Sequence, residues 1–379
     1  MYKLEKLNIG LVGCGFISGV YLENLANVFG SATVYACCDL NAETAAKTAA
    51  KWSIPHVMTY DEMLDCKEIS LILNLTTPAA HYGLTKKALE AGKHVYLEKP
   101  LSMTHKQGAE LVVLAQKNNV RLGGAPDTFM GAGMQTCRKL IDGGFIGKPV
   151  NFSAFLMRSG HEYWHPEPDF YYKPGGGPLF DMGTYYLTAL VSLLGSVSEV
   201  CGMNSTAFKT RTVVTEPHYG KVIDVEVPTH ETALLRFESG VVGTLITSFD
   251  VQAYTLPHIE IYGTAGTILA PDPDLFGGPV FMAGRYNKEL IKQKIYSSEF
   301  KEIPHTHIYT ENSRGIGLAD MAQSITDNRP HRASGELMCH VLEVMEGIRI
   351  SGNTDSFYKL KTRCERPEPL PTDIVRGQI

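Results

Sequence analysis

The sequence lacks the features that mark several large classes of protein. None of its eight cysteines stands in a C-x-x-C pair, so the spacing typical of zinc ribbons and thioredoxin-like redox sites is missing. It has no cluster of lysine and arginine and a net charge of −5, which argues against a nucleic acid or an anionic membrane as partner. It has no apolar run long enough to cross a bilayer, and its first residues do not resemble a signal peptide. With scattered cysteines, these absences predict a cytoplasmic protein with reduced thiols.

The stretch His161–His165 (HEYWH) matches the H-E-x-x-H motif of zinc peptidases, but its surroundings argue against a metal site. That motif requires a helix, which places both histidines one turn apart on one face. Pro166 follows at once and disfavours a helical conformation for His165. Elsewhere, His305 and His307 have no cysteine or carboxylate beside them to complete a ligand set. We therefore predict no metal in this protein.

Two patterns of hydrophobic residues divide the chain near Ala125-Pro126. Before this point, short apolar strands alternate with helices, which predicts a doubly wound α/β domain with a parallel sheet over residues 1–125. After it, two helices precede a series of strands separated by turns such as Glu238–Gly240. Residues 126–379 are therefore predicted to form an α+β domain with an open, mostly antiparallel sheet and its helices on one face.

The same patterns predict individual elements. In the first region the predicted strands are Leu7–Val12, Thr33–Cys38, Ile69–Leu75, His94–Leu97 and Val120–Gly123, and the predicted helices are Ile17–Phe29, Ala42–Trp52, His81–Ala91 and Thr104–Asn118. In the second region the predicted helices are Met130–Asp142, Leu179–Leu194, Gly317–Asp327 and Ser334–Ser351, and the predicted strands are Val197–Asn204, Thr232–Phe237, Val241–Phe249 and His258–Gly263.

A glycine-rich turn follows the first predicted strand and opens a helix. Gly13 and Gly15 allow a tight turn and a close backbone approach, and Phe16 and Ile17 lead into the helix. The free N–H groups and the positive dipole end of a helix N-terminus bind phosphate, so this turn predicts a dinucleotide site of the Rossmann type. Ser18 stands where the motif usually has glycine or alanine, which weakens the match slightly.

An acidic residue, Asp39, closes the second predicted strand. This is where a carboxylate binds the adenosine ribose hydroxyls in dinucleotide-binding domains. No arginine lies beside Asp39 to accept a 2′-phosphate, so the sequence favours NAD over NADP. The alternative is that Gly13 and Gly15 only make a tight turn and that Asp39 caps a helix.

Two more strand ends carry polar residues. In an open parallel sheet the ligand lies beyond the carboxyl ends of the strands, so these residues are candidates for the same site. Lys99 lies between a strand end and Pro100, where burial near a cofactor would let it exchange a proton near neutral pH. The alternative for Lys99 is an ordinary surface charge. The candidates are Thr76, Thr77, Pro78 and His81 after one strand, and Glu98 and Lys99 after the next.

Taken together, these motifs resemble the Gfo/Idh/MocA oxidoreductases. The shared features are a G-x-G-x-x-S turn, an acidic end to strand two, N-x-T-x-P-x-x-H at Asn74–His81, E-K-P at Glu98–Pro100, and a G-G-G-x-x-x-D-x-G signature from Gly175. The resemblance implies a nicotinamide enzyme acting on a sugar, a cyclitol or a sugar derivative, with the cofactor on the first domain and the substrate between the domains. It also implies that Lys99 hydrogen-bonds the reacting oxygen and that Asp181 helps to orient the substrate.

The chain departs from that signature at one position. Tyr185 stands where many members have histidine, one helical turn after Asp181. A phenol titrates near pH 10 and needs a neighbouring ammonium, such as that of Lys99, to act near neutrality. Tyr185 is therefore a candidate catalytic residue with Lys99 and Asp181; otherwise it shapes the site, and the proton belongs to Lys99 or to a loop histidine.

The HEYWH segment lies between the first long strand of the second domain and the Asp181 helix. In the layout of the family this loop overhangs the substrate, and its aromatic and imidazole side chains suit a sugar. The predicted substrate-binding residues are His161, Trp164, His165 and Tyr172. The alternative is a loop that packs on the domain surface or at a subunit contact.

The resemblance leaves two other functions open. Some relatives oxidise transiently with tightly held NAD and cleave or eliminate without net redox change, and a few members of the fold are non-catalytic nucleotide sensors. The expected partner is a small sugar-like molecule. An open sheet in the second domain is a natural packing surface, so a homodimer or homotetramer is expected.

Overall fold

The chain folds into two compact units, each with its own sheet. The computed structural model describes residues 6–284, Lys292 and residues 299–379. Unit 1 comprises Met1–Met130, Glu311–Leu342 and Leu370–Ile379, and unit 2 comprises Gly131–Thr310 and Glu343–Pro369. Two segments from the last fifth of the chain therefore belong to the same unit as the N-terminal strands.

Unit 1 is built on a six-stranded sheet in which all neighbouring strands are parallel. The strand order is β3-β2-β1-β4-β5-β6, so the chain leaves β1 first to one side and then to the other. Ligands of such sheets bind at the carboxyl ends of the strands where the order reverses. The strands are β1 Leu7–Val12, β2 Ala32–Cys38, β3 His56–Val57, β4 Leu71–Asn74, β5 His94–Leu97 and β6 Leu122–Gly124.

Several helices of unit 1 begin with local capping signals. Asn41 accepts hydrogen bonds from the N–H groups of Glu43 and Thr44, and Thr59 and Glu62 form a reciprocal capping box. Pro78 occupies the first turn of its helix, where its missing N–H is not needed. The helices are α1 Ser18–Asn27, α2 Ala42–Trp52, α3 Tyr60–Asp65, α4 Pro78–Glu90 and α5 His105–Lys117, with Ile316–Asp327 from the later segment.

Unit 2 has a nine-stranded sheet in the order β16-β15-β14-β13-β7-β12-β11-β8-β17, and β9 and β10 pair separately. Within the sheet the β7–β12 pair is parallel, and the other neighbouring pairs of the described strands are antiparallel. The strands are β7 Pro149–Met157, β8 Val197–Ser205, β9 Thr210–Thr212, β10 Val222–Asp224, β11 His230–Phe237, β12 Val242–Ser248, β13 Ile259–Gly263, β14 Gly266–Ala270, β15 Val280–Gly284, β16 Lys301–Ile303 and β17 Tyr358–Lys359.

The helices of unit 2 include one that is buried around its whole circumference. In α7, Thr184–Leu194, every residue is buried, as expected of a helix enclosed by other elements. A π-helical turn, Leu179–Gly183, leads directly into α7. The other long helices are α6 Ala132–Asp142 and Gly335–Thr354, which runs from one unit into the other.

The sequence predicted the fold class correctly. The parallel sheet, the open and mostly antiparallel second sheet, and the hairpin turn at Glu238–Gly240, where Gly240 has φ +85°, are all confirmed. The predicted Leu179–Leu194 helix contains the π-helical turn, which the hydrophobic pattern does not distinguish from an α-helix. Short elements were missed because two- or three-residue strands carry no periodicity. Among the described helices, none is long and apolar enough to span a bilayer.

Candidate active site

The glycine turn after β1 has the geometry expected of a phosphate-binding loop. Gly13 has φ +91°, its N–H donates to the carbonyl oxygen of Cys38 at 2.9 Å, and a Cβ there would lie 2.8 Å from the Leu75 oxygen. Only glycine therefore fits at this position without strain. A Cβ on Gly15 would meet no atom within 4 Å, so this side of the turn is open. Phe16 is fully exposed and Ile17 is half-buried where α1 begins.

Asp39 connects the end of β2 to this turn. Its Oδ2 accepts a hydrogen bond from the N–H of Cys14 at 2.8 Å, and its Oδ1 accepts one from the N–H of Asn41 at 2.9 Å. The helix α2 is capped by Asn41 and not by Asp39. A carboxylate has about four acceptor positions, so Asp39 can still accept from hydroxyl groups. Leu40, the next residue, is fully exposed.

His81 joins the loops that follow β4 and β5. Its Nδ1 lies 2.7 Å from the carbonyl oxygen of Pro100, and its Nε2 lies 2.9 Å from that of Thr76. The ring is fully buried, and burial lowers its pKa even though both carbonyls favour the charged form. A neutral imidazole has one N–H and donates to one of these oxygens at a time. His81 thus holds the two loops together, while Thr77 and Pro78 are exposed.

Glu98 anchors the loop that carries Lys99. The Glu98 side chain is buried; its Oε1 accepts from the hydroxyl of Tyr21 at 2.9 Å and lies 3.5 Å from Nη1 of Arg314. Its Oε2 accepts from the backbone N–H of Lys99 at 3.1 Å. Lys99 itself is half-buried at the carboxyl end of β5. From the sequence, Arg314 could reach the site but was interpreted as part of a polar helix entry; its contact with Glu98 spans 216 residues.

In unit 2, Asp181 lies in the π-helical turn before α7. The turn is fixed at its start by Glu231, whose Oε2 accepts from the N–H of Leu179 at 3.3 Å and whose Oε1 pairs with Arg349 at 2.8 Å. The Asp181 Oδ2 lies 3.1 Å from Nε2 of His161. Tyr185 follows in the first turn of α7 and is only 5% exposed. The structure thus places the predicted substrate ligand His161 on the Asp181 carboxylate.

The glutamate of the HEYWH stretch has a structural partner. Glu162 is buried, pairs with Nη1 of Arg211 at 3.0 Å and accepts from the hydroxyl of Tyr172. Arg211 also pairs with Asp250. Tyr172 is fully buried in an apolar cluster with Val213, Ile223 and Phe249. Its ring and hydroxyl therefore contact protein in this structure, and no pattern in the sequence indicates the Arg211 partnership.

The other two predicted loop residues keep some exposure. The Trp164 side chain is 58% exposed, and its ring meets the edge of the His161 ring at 5.3 Å between centroids. His165 is half-buried and its Nδ1 accepts from the N–H of Glu167 at 3.0 Å. Burial, and then the neighbouring His161, lower the pKa of His165. Within the described parts of the chain, no three histidine, cysteine, aspartate or glutamate side chains form a group able to hold a metal ion.

Comparison with protein families agrees with this geometry. Residues 7–124 match the model described as "Oxidoreductase family, NAD-binding Rossmann fold", and residues 134–269 match the "GFO/IDH/MocA C-terminal domain". The chain belongs to the Gfo/Idh/MocA family of NAD-binding oxidoreductases, as the sequence motifs predicted.

The curated relatives share between about a fifth and a third of the aligned residues with this chain. An uncharacterised oxidoreductase of Schizosaccharomyces pombe, C115.03, is 31% identical over 51% of this chain and 53% of its own length. Myo-inositol 2-dehydrogenase of Thermotoga maritima is 25% identical over 70% of this chain and 75% of its own. The matches to the two S. pombe oxidoreductases span about half of those proteins.

Solved structures share the fold over nearly the whole chain. An NAD-binding oxidoreductase from Klebsiella pneumoniae superposes with a TM-score of 0.80 at 21% identity, covering 93% of this chain and 99% of that one. Levoglucosan dehydrogenase in complex with NADH and L-sorbose superposes with a TM-score of 0.80 at 20% identity, covering 94% and 99%. At these identities the likeness concerns the fold alone.

Proposed function

We propose that this protein is an NAD(H)-dependent dehydrogenase or reductase that acts on a hydroxyl or carbonyl group of a sugar, cyclitol or sugar derivative. The observation that carries the proposal is the glycine turn joined to Asp39 through the Cys14 N–H, at the point where the order of the parallel strands reverses. The names of an inositol dehydrogenase relative and of levoglucosan dehydrogenase among the similar structures support the substrate class.

The residues of unit 1 fit a dinucleotide. Gly13 and Gly15 would receive the pyrophosphate against an open stretch of backbone, and Asp39 would accept from the adenosine ribose hydroxyls. The segment after Asp39 is Leu-Asn-Ala, with no cation for a 2′-phosphate, which supports NAD over NADP. When bound, the nicotinamide supplies the hydride acceptor or donor.

The protein must handle the proton. Oxidation of a secondary alcohol removes a hydride from carbon and a proton from the hydroxyl group, and only the proton needs a protein side chain. We assign the hydrogen bond to the reacting oxygen to Lys99, whose backbone is held by the buried Glu98. Asp181 orients the substrate, and Tyr185 is the second candidate for the proton. The exposed Trp164 offers an aromatic face to a polyol, and the half-buried His165 offers an imidazole.

The first test is a calorimetric titration of the purified chain with NADH and with NADPH. We expect NADH to bind at least tenfold more tightly, and Asp39→Ala to weaken NADH about tenfold, since a hydrogen bond to a charged group contributes about 1.5–3 kcal/mol. Glu90→Ala, an exposed carboxylate at the last residue of α4, is the matched control and should leave both affinities unchanged.

If NADH binds, polyols are then screened with NAD by following the absorbance of the NADH formed at 340 nm. Turnover of at least one cyclitol or sugar is expected. If neither nucleotide binds at millimolar concentration to protein that is free of cofactor, the assignment of Gly13, Gly15 and Asp39 is wrong and the proposed activity is lost with it.

A further inference from the structure

We infer that His161 is a positioning residue that orients the Asp181 carboxylate, and that it does not contact the substrate itself. This inference rests on the proposed function, because it gives a role to a residue of the same site. It differs from the expectation from the sequence, in which His161 is one of four substrate ligands. The observation behind it is the 3.1 Å contact between His161 Nε2 and Asp181 Oδ2 across 20 residues of sequence.

The His161 ring is enclosed by aromatic side chains. It stacks on Tyr171 with 3.8 Å between centroids and an interplanar angle of 24°, and it meets Phe249 edge-on at 4.6 Å and 80°. With Trp164 on another side, only 3% of the His161 side chain is exposed. A ring enclosed in this way cannot turn outward without breaking these contacts, so its Nε2 stays directed at Asp181.

The other ring nitrogen identifies the tautomer. Nδ1 of His161 is buried and has no hydrogen-bond partner among the described residues. A proton on Nδ1 would be a buried donor without an acceptor, which is unfavourable, whereas an Nε2 proton is donated to the Asp181 carboxylate. The geometry therefore places a proton on Nε2, and His161 acts as a hydrogen-bond donor to Asp181.

Hydrogen bonds and ion pairs also hold the backbone of the loop that carries His161. The N–H of His161 donates to the hydroxyl of Tyr172 at 3.2 Å, and that hydroxyl donates in turn to Glu162. Glu162 pairs with Arg211 in β9, and Arg211 pairs with Asp250 just after β12. The two residues of the zinc-like motif thus have separate structural tasks: Glu162 fastens the loop, and His161 holds Asp181.

The His161 contact fixes the position of the Asp181 carboxylate. A carboxylate held on one oxygen by a fixed donor keeps one rotamer, and a substrate hydroxyl then meets an acceptor in a constant place. Positioning of this kind affects the reacting geometry and therefore kcat more than the binding of the nucleotide, whose proposed ligands lie in unit 1.

The kinetic test compares two replacements of His161. His161→Phe keeps a ring for stacking on Tyr171 and removes the donor, and His161→Gln keeps an N–H at about the reach of Nε2. We expect His161→Phe to lower kcat about 10- to 100-fold with unchanged NADH affinity, and His161→Gln to recover most of that loss. His218→Phe removes an exposed imidazole that lies 2.6 Å from Glu167 and serves as the matched control, with unchanged kcat.

A double-mutant cycle separates positioning from general packing. If His161 acts through Asp181, then Asp181→Asn with His161→Phe loses no more activity than Asp181→Asn alone. Additive losses, equal losses in the Phe and Gln variants, or full activity of His161→Phe would each overturn the inference while leaving the proposed function intact.

A second measurement does not depend on activity. In ¹⁵N-histidine-labelled protein, the signal that disappears in His161→Phe should show a protonated Nε2 and a bare Nδ1, and it should shift in Asp181→Asn. A ring without a proton on Nε2 at pH 7 would overturn the pairing even if no polyol were turned over. Absence of NADH binding would instead refute the proposed function.

Discussion

Tyr185 is the proposed catalytic residue in α7. It is 5% exposed and follows the Asp181 turn in the first turn of α7. A phenol at this position can act as a general acid and its phenolate as a general base, provided that a neighbouring cation stabilises the phenolate. The neighbouring Tyr186 is fully buried, and its hydroxyl lies 2.8 Å from Nδ1 of His258.

We predict that Tyr185→Phe lowers the rate of hydride transfer at least about a hundredfold, the usual contribution of a general acid or base. Single-turnover stopped-flow with NADH fluorescence measures that rate directly. Tyr186→Phe is the matched control, since it removes the adjacent hydroxyl, and it should stay within about threefold of the wild type. A Tyr185→Phe enzyme with an unchanged single-turnover rate would show that the phenol only shapes the site.

Among the elements, the loop between β7 and the Asp181 turn depends on a buried ion-pair network. Arg211 in β9 is almost fully buried and bridges Glu162 of the loop and Asp250 after β12, and its guanidinium lies 4.9 Å from the Phe208 ring. Removing one member of a buried network leaves the remaining charges without compensation, which costs more than the network contributes. The short strand β9 therefore stabilises a loop that precedes it by more than thirty residues.

We predict that Arg211→Met lowers the free energy of unfolding by about 3–5 kcal/mol, measured by urea denaturation followed by circular dichroism. Arg363→Met removes a guanidinium from an exposed pair with Glu238 and should cost at most about 1 kcal/mol. Equal losses in the two variants would contradict a special role for the buried network.

Across the whole molecule, histidines that are fully or partly buried link stability to pH. His81, His94 and His331 all belong to unit 1, and burial lowers the pKa of each, for His94 to about 4. Nδ1 of His94 accepts a hydrogen bond from the N–H of Arg121 at 2.8 Å, which protonation of that nitrogen would break. An unfolded histidine titrates near pH 6.5, so below that pH the unfolded chain takes up protons that the folded chain resists.

We therefore predict that the free energy of unfolding is highest above about pH 6.5 and falls as the pH drops towards 4. His94→Asn retains an acceptor for the Arg121 N–H but does not titrate, so its stability should fall less steeply, by at most about 1.4 kcal/mol per pH unit. Urea denaturation between pH 7.5 and 5 measures both slopes. A wild-type stability that is constant over this range, or equal slopes in both proteins, would contradict the prediction.

The sequence by itself determined the features that depend on neighbouring residues. The period of the apolar strands and helices predicted a parallel sheet followed by a mostly antiparallel one. The dinucleotide motif can be read from Gly13 and Gly15, because the positive φ of Gly13 and the open backbone at Gly15 depend on the residues of the turn itself. Asp39 and E-K-P follow from strand ends, where position along the chain already indicates position in the fold, whereas the Asp181 signature was identified through the resemblance to the family.

The tertiary structure decided which distant side chains meet. His161 and Asp181 are 20 residues apart, Glu162 and Arg211 are 49 apart, and Glu98 and Arg314 are 216 apart. A pair of this kind depends on how strands, turns and loops pack, and no spacing rule connects its members. The letters of HEYWH are consistent with a metal helix or a sugar-binding loop; the packing around them assigns His161 to a carboxylate and Glu162 to a guanidinium, because a buried polar group must find its partner in the fold.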